Sequence, residues 1–177
     1  APLFYLRTTT YRHMAQQLVQ AGARRKIYLW GYQHVITHVE NDRLAGLQTV
    51  ICDPQQLMHH LPLVAAMKAD TLAGTPSLLL LFGQMLDRLE DRLQIRFLEL
   101  TGEPARAQTL QALKQVFPLA KVFHHYAMGE MGQETGTRGP NCECQNSGYF
   151  HLNPTGIYVE NQDGELLVTQ LNVPTAF

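Results

Sequence analysis

Charge is scarce in this chain. Asp, Glu, Lys and Arg make up only 16% of its 177 residues, against about a quarter in an average soluble domain. Fourteen basic residues against 15 acidic ones leave a formal net charge of −1. With a sequence pI near 6.8 there is no cationic surplus to displace counterions from a phosphate backbone, which excludes non-specific nucleic-acid binding. Cysteine is scarce too. Cys52, Cys142 and Cys144 are the only three, the last two one residue apart, which is no disulfide framework. A reducing cytoplasm is the expected compartment. The apolar run Leu78 to Phe82 falls far short of the ~20 residues that span a bilayer, and no basic-apolar-small signal opens the chain. Internal repeats and low-complexity tracts are missing as well. What the chain does have is apolar content, 45% of it, enough for one domain that buries about 70% of its unfolded surface.

Periodicity alternates along the chain. Leu6 to Gly22 reads as a helix, with Met14, Leu18 and Val19 at helical spacing and Gly22 as its stop. Ile27 to Trp30 suits a buried strand bracketed by Arg24–Lys26 and Gly31. A helix over Val35 to Leu44 and a strand over Leu47 to Cys52 follow. Pro54 to Ala69 is helical, with a kink expected at Pro62. Thr71 to Gly74 is a short strand, and Thr75 with Pro76 caps a helix running to Leu86–Leu89. Ile95 to Leu100 is the next strand, Ala105 to Phe117 an amphipathic helix, and Lys121 to Tyr126 a further strand. A loop then runs to about Ser147. The tail holds short strands over Tyr149 to Leu152, Gly156 to Glu160 and Glu165 to Leu171, with Asp163-Gly164 as one tight turn. The expected fold is α/β: a parallel-dominated sheet of five strands with helices on both faces, plus a partial antiparallel extension. We place the division at 1–148 and 149–177.

Ligands of such sheets sit beyond the C-terminal strand ends. Two ends here carry more than a bare turn. Gly102-Glu103-Pro104 lets a flat ring approach backbone, and as the start of a helix it favours anionic groups; alone, it also reads as an ordinary strand-helix turn. Tyr126-Ala127-Met128-Gly129-Glu130-Met131-Gly132 sets an aromatic, two glycines and a carboxylate at the next strand end, a set that can stack on a ring, approach phosphate and hold magnesium.

In that order and spacing the two segments resemble the adenylate-forming (AMP-forming) acyl-CoA synthetase superfamily, in its phenylacetate–CoA ligase-like branch. Its members carry a Gly-(Ala)-Glu-Pro turn, a helix, and a strand ending in an aromatic-Gly-x-Ser/Thr-Glu motif. Similar too are Ala73-Gly74-Thr75-Pro76-Ser77, Cys142-Glu143-Cys144, Gly148-Tyr149-Phe150-His151, and Gly164-Glu165-Leu166-Leu167-Val168-Thr169. The resemblance covers essentially the whole chain. It implies a reaction in which ATP and a small or aromatic carboxylate give an acyl-adenylate, and a thiol, CoA or a carrier, displaces AMP. It also implies that Gly102, Glu103 and Pro104 line the adenine pocket, with Tyr126 flanking the ring. Ala127, Met128 and Gly129 would approach the nucleotide, and Glu130 would act as the catalytic magnesium ligand.

The sequence departs from that pattern. Gly129 stands where the family has Ser or Thr, Ala127 where it has Gly, and no Gly-rich phosphate loop is present. Thr8-Thr9-Thr10 is a hydroxyl run, but no glycine precedes Gly22, so it builds no backbone cradle. The family's ribose-binding Asp, its Arg and its lid Lys would lie beyond Phe177. The chain thus reads as an internal fragment or a truncated member. Its alternatives to catalysis are an inert nucleotide- or acid-binding module, or a homodimer that covers its sheet edge. Cys142, Cys144 and His151, with His124 and His125 nearby, have the chemistry of zinc ligands, although two reduced thiols in a loop is the plainer reading. Cys52 patterns as a buried strand residue. His34, His38, His59 and His60 fall on helix faces as surface or satisfied side chains.

Overall fold

A computed structural model of the chain describes residues 2–86, 92, 94–128, 133–139, 149–152 and 157–170. Helix α1 (Pro2–Ala21) leads into β1 (Arg25–Leu29), α2 (Tyr32–Ala45), β2 (Gln48–Cys52), a 3-10 turn (Pro54–Gln56), α3 (Leu57–Met67), β3 (Thr71–Gly74) and α4 (Pro76–Met85). Then come β4 (Phe97–Leu100), α5 (Ala107–Val116), β5 (Lys121–Met128), β6 (Gln133–Arg138), β7 (His151–Leu152), β8 (Ile157–Gln162) and β9 (Glu165–Gln170). Local chemistry sets the boundaries. The Thr75 side chain accepts from the Leu78 N–H and Pro76 opens α4, as its sequence predicts. Asp53 caps the 3-10 turn through the Gln55 N–H at 2.9 Å, so the α-helix starts three residues later than Pro54. Pro62 sits inside α3 rather than ending it.

The sheet has seven strands in the order β2-β1-β3-β4-β5-β6-β7, and β8 with β9 form a separate antiparallel pair. The first five are mutually parallel; β6 and β7 add antiparallel to β5 and to each other. The sheet is therefore two strands wider than its periodicity suggests. Gln133-Glu-Thr-Gly-Thr-Arg138 carries no apolar alternation, which is why it reads as loop. Leu152 also pairs with Gly136 in the large sheet, and the separate hairpin starts only at Ile157.

Strand registry sorts the side chains onto two faces. One carries Ile27, Leu29, Leu72, Leu98 and Leu100 against Leu57, Val64, Leu79, Phe82, Leu113 and Phe117 of α3, α4, α5 and its end. The other carries Tyr28, Ala73, Phe97 and Phe123 beneath α1 and α2, with Ala15, Leu18 and Val35 in contact. Each large side chain fully buried here contributes about 1.5–3 kcal/mol. Helices cover both faces, and ligands of such sheets bind beyond the C-terminal strand ends. Among the described residues no helix is long and apolar enough to cross a membrane.

Candidate functional site

Registry brings the two chemistry-bearing segments side by side. Leu100, the last residue of β4, pairs with His124 of β5, so the turn at 102–104 and Tyr126 follow on neighbouring strands. Gly102 has φ +80°, and a Cβ there would lie 2.8 Å from Cη2 of Trp30. Both conformation and contact require glycine. Glu103 departs from the sequence expectation. The following helix begins at Ala107 with Arg106 as its cap residue, so Glu103 is not in its first turn. Its carboxylate instead accepts from the Ser77 hydroxyl at 2.8 and 2.6 Å and from the Ser77 N–H at 3.3 Å. It thus closes the N-terminus of α4, where the macrodipole favours a negative charge. Gly102, Glu103 and Pro104 are all exposed.

Tyr126 is 39% exposed. The register of β5 against β6 shifts between Tyr126 and Ala127, a bulge that re-aims the strand end. Opposite Tyr126 stands Gly136, where a Cβ would lie 3.1 Å from the Phe150 Cβ; its absence lets β7 close in. Phe150 then sits 5.7 Å from the Tyr126 ring and 4.8 Å from His124, ring centroid to centroid. The Arg138 guanidinium lies over the Phe150 ring at 5.0 Å and donates to His124 Nδ1 at 2.8 Å. A guanidinium has only donors, so Nδ1 accepts and the ring proton is on Nε2, facing the Glu103 carbonyl at 3.4 Å. Burial first, and Arg138 second, hold the His124 pKa down at about 4. A neutral histidine therefore ties the 102–104 turn to Arg138. Neither Phe150 nor Arg138 stood out in the sequence as a site residue.

The remaining candidates are dispersed. Met128 ends β5 and Ala127 is exposed beside it. Gly129, Glu130, Cys142 and Cys144 lie outside the described residues. His151 is exposed on β7 opposite Thr137, and no group of three or more His, Cys, Asp or Glu among the described residues could hold a metal ion. Cys52 is fully buried, and burial pushes its thiol up to about 11, which makes it inert.

A second polar cluster lies beneath α1 and α2, and the sequence reading missed it. Lys26 Nζ stands 3.0 Å from Asp42 Oδ2 and 2.5 Å from Glu99 Oε2, each residue 2% exposed or less. His125 Nε2 is 3.6 Å from Glu99 Oε1, and the Thr49 hydroxyl donates to Asp42 Oδ2 at 3.2 Å. Burial alone would pull the Lys26 pKa down; Glu99 and then Asp42 outweigh it and hold it above its usual value. Burial likewise disfavours ionised Glu99, but Lys26 and then His125 bring it below the usual carboxylate range. His38 stacks on Tyr11 at 3.7 Å, and burial keeps its pKa at about 3. The available signal was a single carboxylate, Glu99, interrupting an apolar strand.

No protein-family model matches the chain, and no curated protein does either. Solved structures do. O-succinylbenzoate coenzyme A synthetase (MenE) from Bacillus subtilis in complex with AMP is 16% identical with a TM-score of 0.63, over 94% of this chain and 37% of that one. Its complex with ATP and magnesium ion gives 16%, 0.63, 94% and 38%. VinN gives 18% and 0.64, over 92% of this chain and 45% of that one. The chain shares its fold with part of each of these structures. This chain spans little more than a third of the MenE chain. The parallel sheet, the helices on both its faces and the antiparallel hairpin all accord with the fold that the sequence resemblance implies.

Proposed function

We propose that this chain is the adenine- and acid-binding segment of an AMP-forming carboxylate–CoA ligase, acting on an aromatic or small carboxylate. The observation that carries this is the pairing of the exposed 102–104 turn with Tyr126 at adjacent strand ends, tied through His124. The exposed backbone of Gly102, Glu103 and Pro104 suits the edge of adenine, and the Tyr126 ring suits its face, with Ala127, Met128 and Gly129 leading toward the phosphates. Glu130 is the residue we assign to magnesium, which when bound neutralises phosphate charge during attack by the acid's carboxylate. CoA is the acceptor we favour. Residues 1–148 form the α/β subdomain in this reading, with His151–Leu152 attached at its sheet edge, and the rest to 177 belongs to an antiparallel subdomain. The assignment to the phenylacetate–CoA ligase-like branch rests on the sequence motifs, and the cytoplasm on the cysteine usage.

Adenosine titration by ligand-observed NMR, with GMP as control, tests the site. Binding in the high micromolar to millimolar range is expected, since stacking on one aromatic face is worth about 1–3 kcal/mol. Tyr126→Ala should weaken it about fivefold or more. Unchanged adenosine binding in that variant would remove the assignment. Gly102→Val is a poor probe, because its Cβ strikes Trp30 whatever the ligand does.

A second reading, an inert binding module, is favoured by Gly129 in place of the family's Ser or Thr and by the lack of any Gly-rich loop in these residues. ATP–pyrophosphate exchange separates the two. Exchange with a carboxylate panel, lost in Glu130→Gln, supports catalysis by the chain itself; none supports the module. Self-association through the open strand β2 belongs to either reading, and a clean 20.0 kDa monomer in sedimentation would count against it.

A further inference from the structure

Among the described residues the chain buries two full-time cations, Lys26 and Arg138. Lys26 has two carboxylates against it. Arg138 is 3% exposed and has none among the described residues. Its contacts are the neutral His124 ring at Nδ1 and the face of Phe150. The nearest acid along this chain of contacts, Glu103, turns its carboxylate to Ser77 and only its carbonyl to His124. Burial without a counter-charge pulls even this guanidinium below its usual pKa. Buried charge is costly unless paired, and the planar guanidinium fork is suited to two oxygens of one oxyanion.

Position adds the second argument. Arg138 pairs in register with His124, and Tyr126 is two residues further along the same strand. Phe150 bridges the two, touching both Tyr126 and the guanidinium. With Nη2 committed to His124, the fork is held in one orientation by a histidine whose other nitrogen is fixed on the 102–104 turn.

We propose that Arg138 is the oxyanion-binding residue of the candidate site. It would take a carboxylate or phosphate oxygen of the ligand whose ring Tyr126 covers, with His124 as its positioning residue. This rests on the strand-end site proposed above and names the charge that site recognises. The carboxylate of the acid and the phosphate of the nucleotide share the required chemistry, so the test separates them.

The test follows the side-chain Nε–H signal of Arg138 in the ¹⁵N-labelled chain, titrated separately with benzoate, inorganic phosphate, AMP and adenosine. Arg138→Lys serves to assign the signal. A saturable shift with benzoate assigns the carboxylate, and one with AMP and phosphate assigns the phosphate; either supports the proposal. Adenosine should move Tyr126 while moving Arg138 far less. Arg138→Met should weaken the responsive anion by about tenfold or more beyond any effect on adenosine, the value of one lost charge-assisted hydrogen bond. Arg138→Lys, which keeps the charge without the fork, should restore part of that loss. Should none of the three anions move the Arg138 signal while adenosine still binds, the proposal falls and the adenine site stands. Should an anion move Arg138 while adenosine does not bind, the adenine assignment falls and the oxyanion seat stands.

Discussion

Replacing Lys26 by Met should destabilise the chain more than any apolar truncation of similar volume. The methionine fills the same space, but Asp42 and Glu99 remain 2% exposed with no ammonium between them. Removing one partner of a buried ion pair typically costs about 3–5 kcal/mol, a large share of the roughly 5–15 kcal/mol that holds a domain together. At about 2–4 °C per kcal/mol for a chain of this length, Tm should fall by roughly 6–20 °C. The orphaned carboxylates can also relieve themselves by protonation. The deficit relative to wild type should therefore be larger at pH 8 than at pH 5, which an ordinary packing defect would not produce. The fluorescence of the single tryptophan, Trp30, follows both, the fall in Tm by thermal melts and the pH-dependent deficit by urea unfolding at pH 5 and pH 8. The combined variant Lys26→Met, Asp42→Asn, Glu99→Gln removes the stranded charges and should recover much of the loss. A single variant within about 1 kcal/mol of wild type, or a deficit independent of pH, would refute the reading that this network clamps α2 to the sheet.

Gly83→Ala should also destabilise, although alanine is the better helix former by about 1 kcal/mol. A Cβ on α4 would collide with Phe117 and Val116, and fully buried Phe117 cannot swing away, a cost of about 1–3 kcal/mol; a higher urea midpoint would contradict it. Acid should weaken the fold through His38 and His124. Their folded pKa values, about 3 and about 4, lie below the ordinary 6.5, so their contribution is present above pH 6.5 and lost as pH falls toward those values. The slope is at most about 1.4 kcal/mol per pH unit for each histidine. His38→Phe should flatten that slope in urea midpoints measured from pH 7 to 5, and an unchanged slope would place His38 outside the buried set.

The parallel half of this fold was legible because its inner strands β1, β3 and β4 bury both faces and so read as short apolar runs between helical segments. Lys26 was read as a bracket before the strand. It lies inside it, because a lysine is tolerated there only when two carboxylates from α2 and β4 meet it, and such pairing across more than 70 residues has no local signature. The edge was illegible for the opposite reason. β6 is polar and centred on a glycine, and its place in the sheet comes from backbone pairing to β5 and β7 rather than from side-chain alternation.

In the proposed site, that same polar strand would set the charge recognised. Motif reading finds residues whose type is diagnostic in sequence, such as the 102–104 turn and Tyr126, and in the proposed site these would meet the edge and the face of a ring, which are uncharged contacts. Arg138 and Phe150 owe their roles to registry. Gly136 opposite Tyr126 admits β7, β7 brings Phe150, and Phe150 with His124 fixes the guanidinium. If Gly136 is the residue that makes room, Gly136→Val should displace Phe150 through contacts with its Cβ and the His151 carbonyl, both 3.1 Å from a Cβ at that position. The variant should then alter the Arg138 Nε–H signal while the parallel strands keep their hydrogen-exchange protection. An unchanged Arg138 signal would mean that β7 does not position the cation, and that His124 alone holds it.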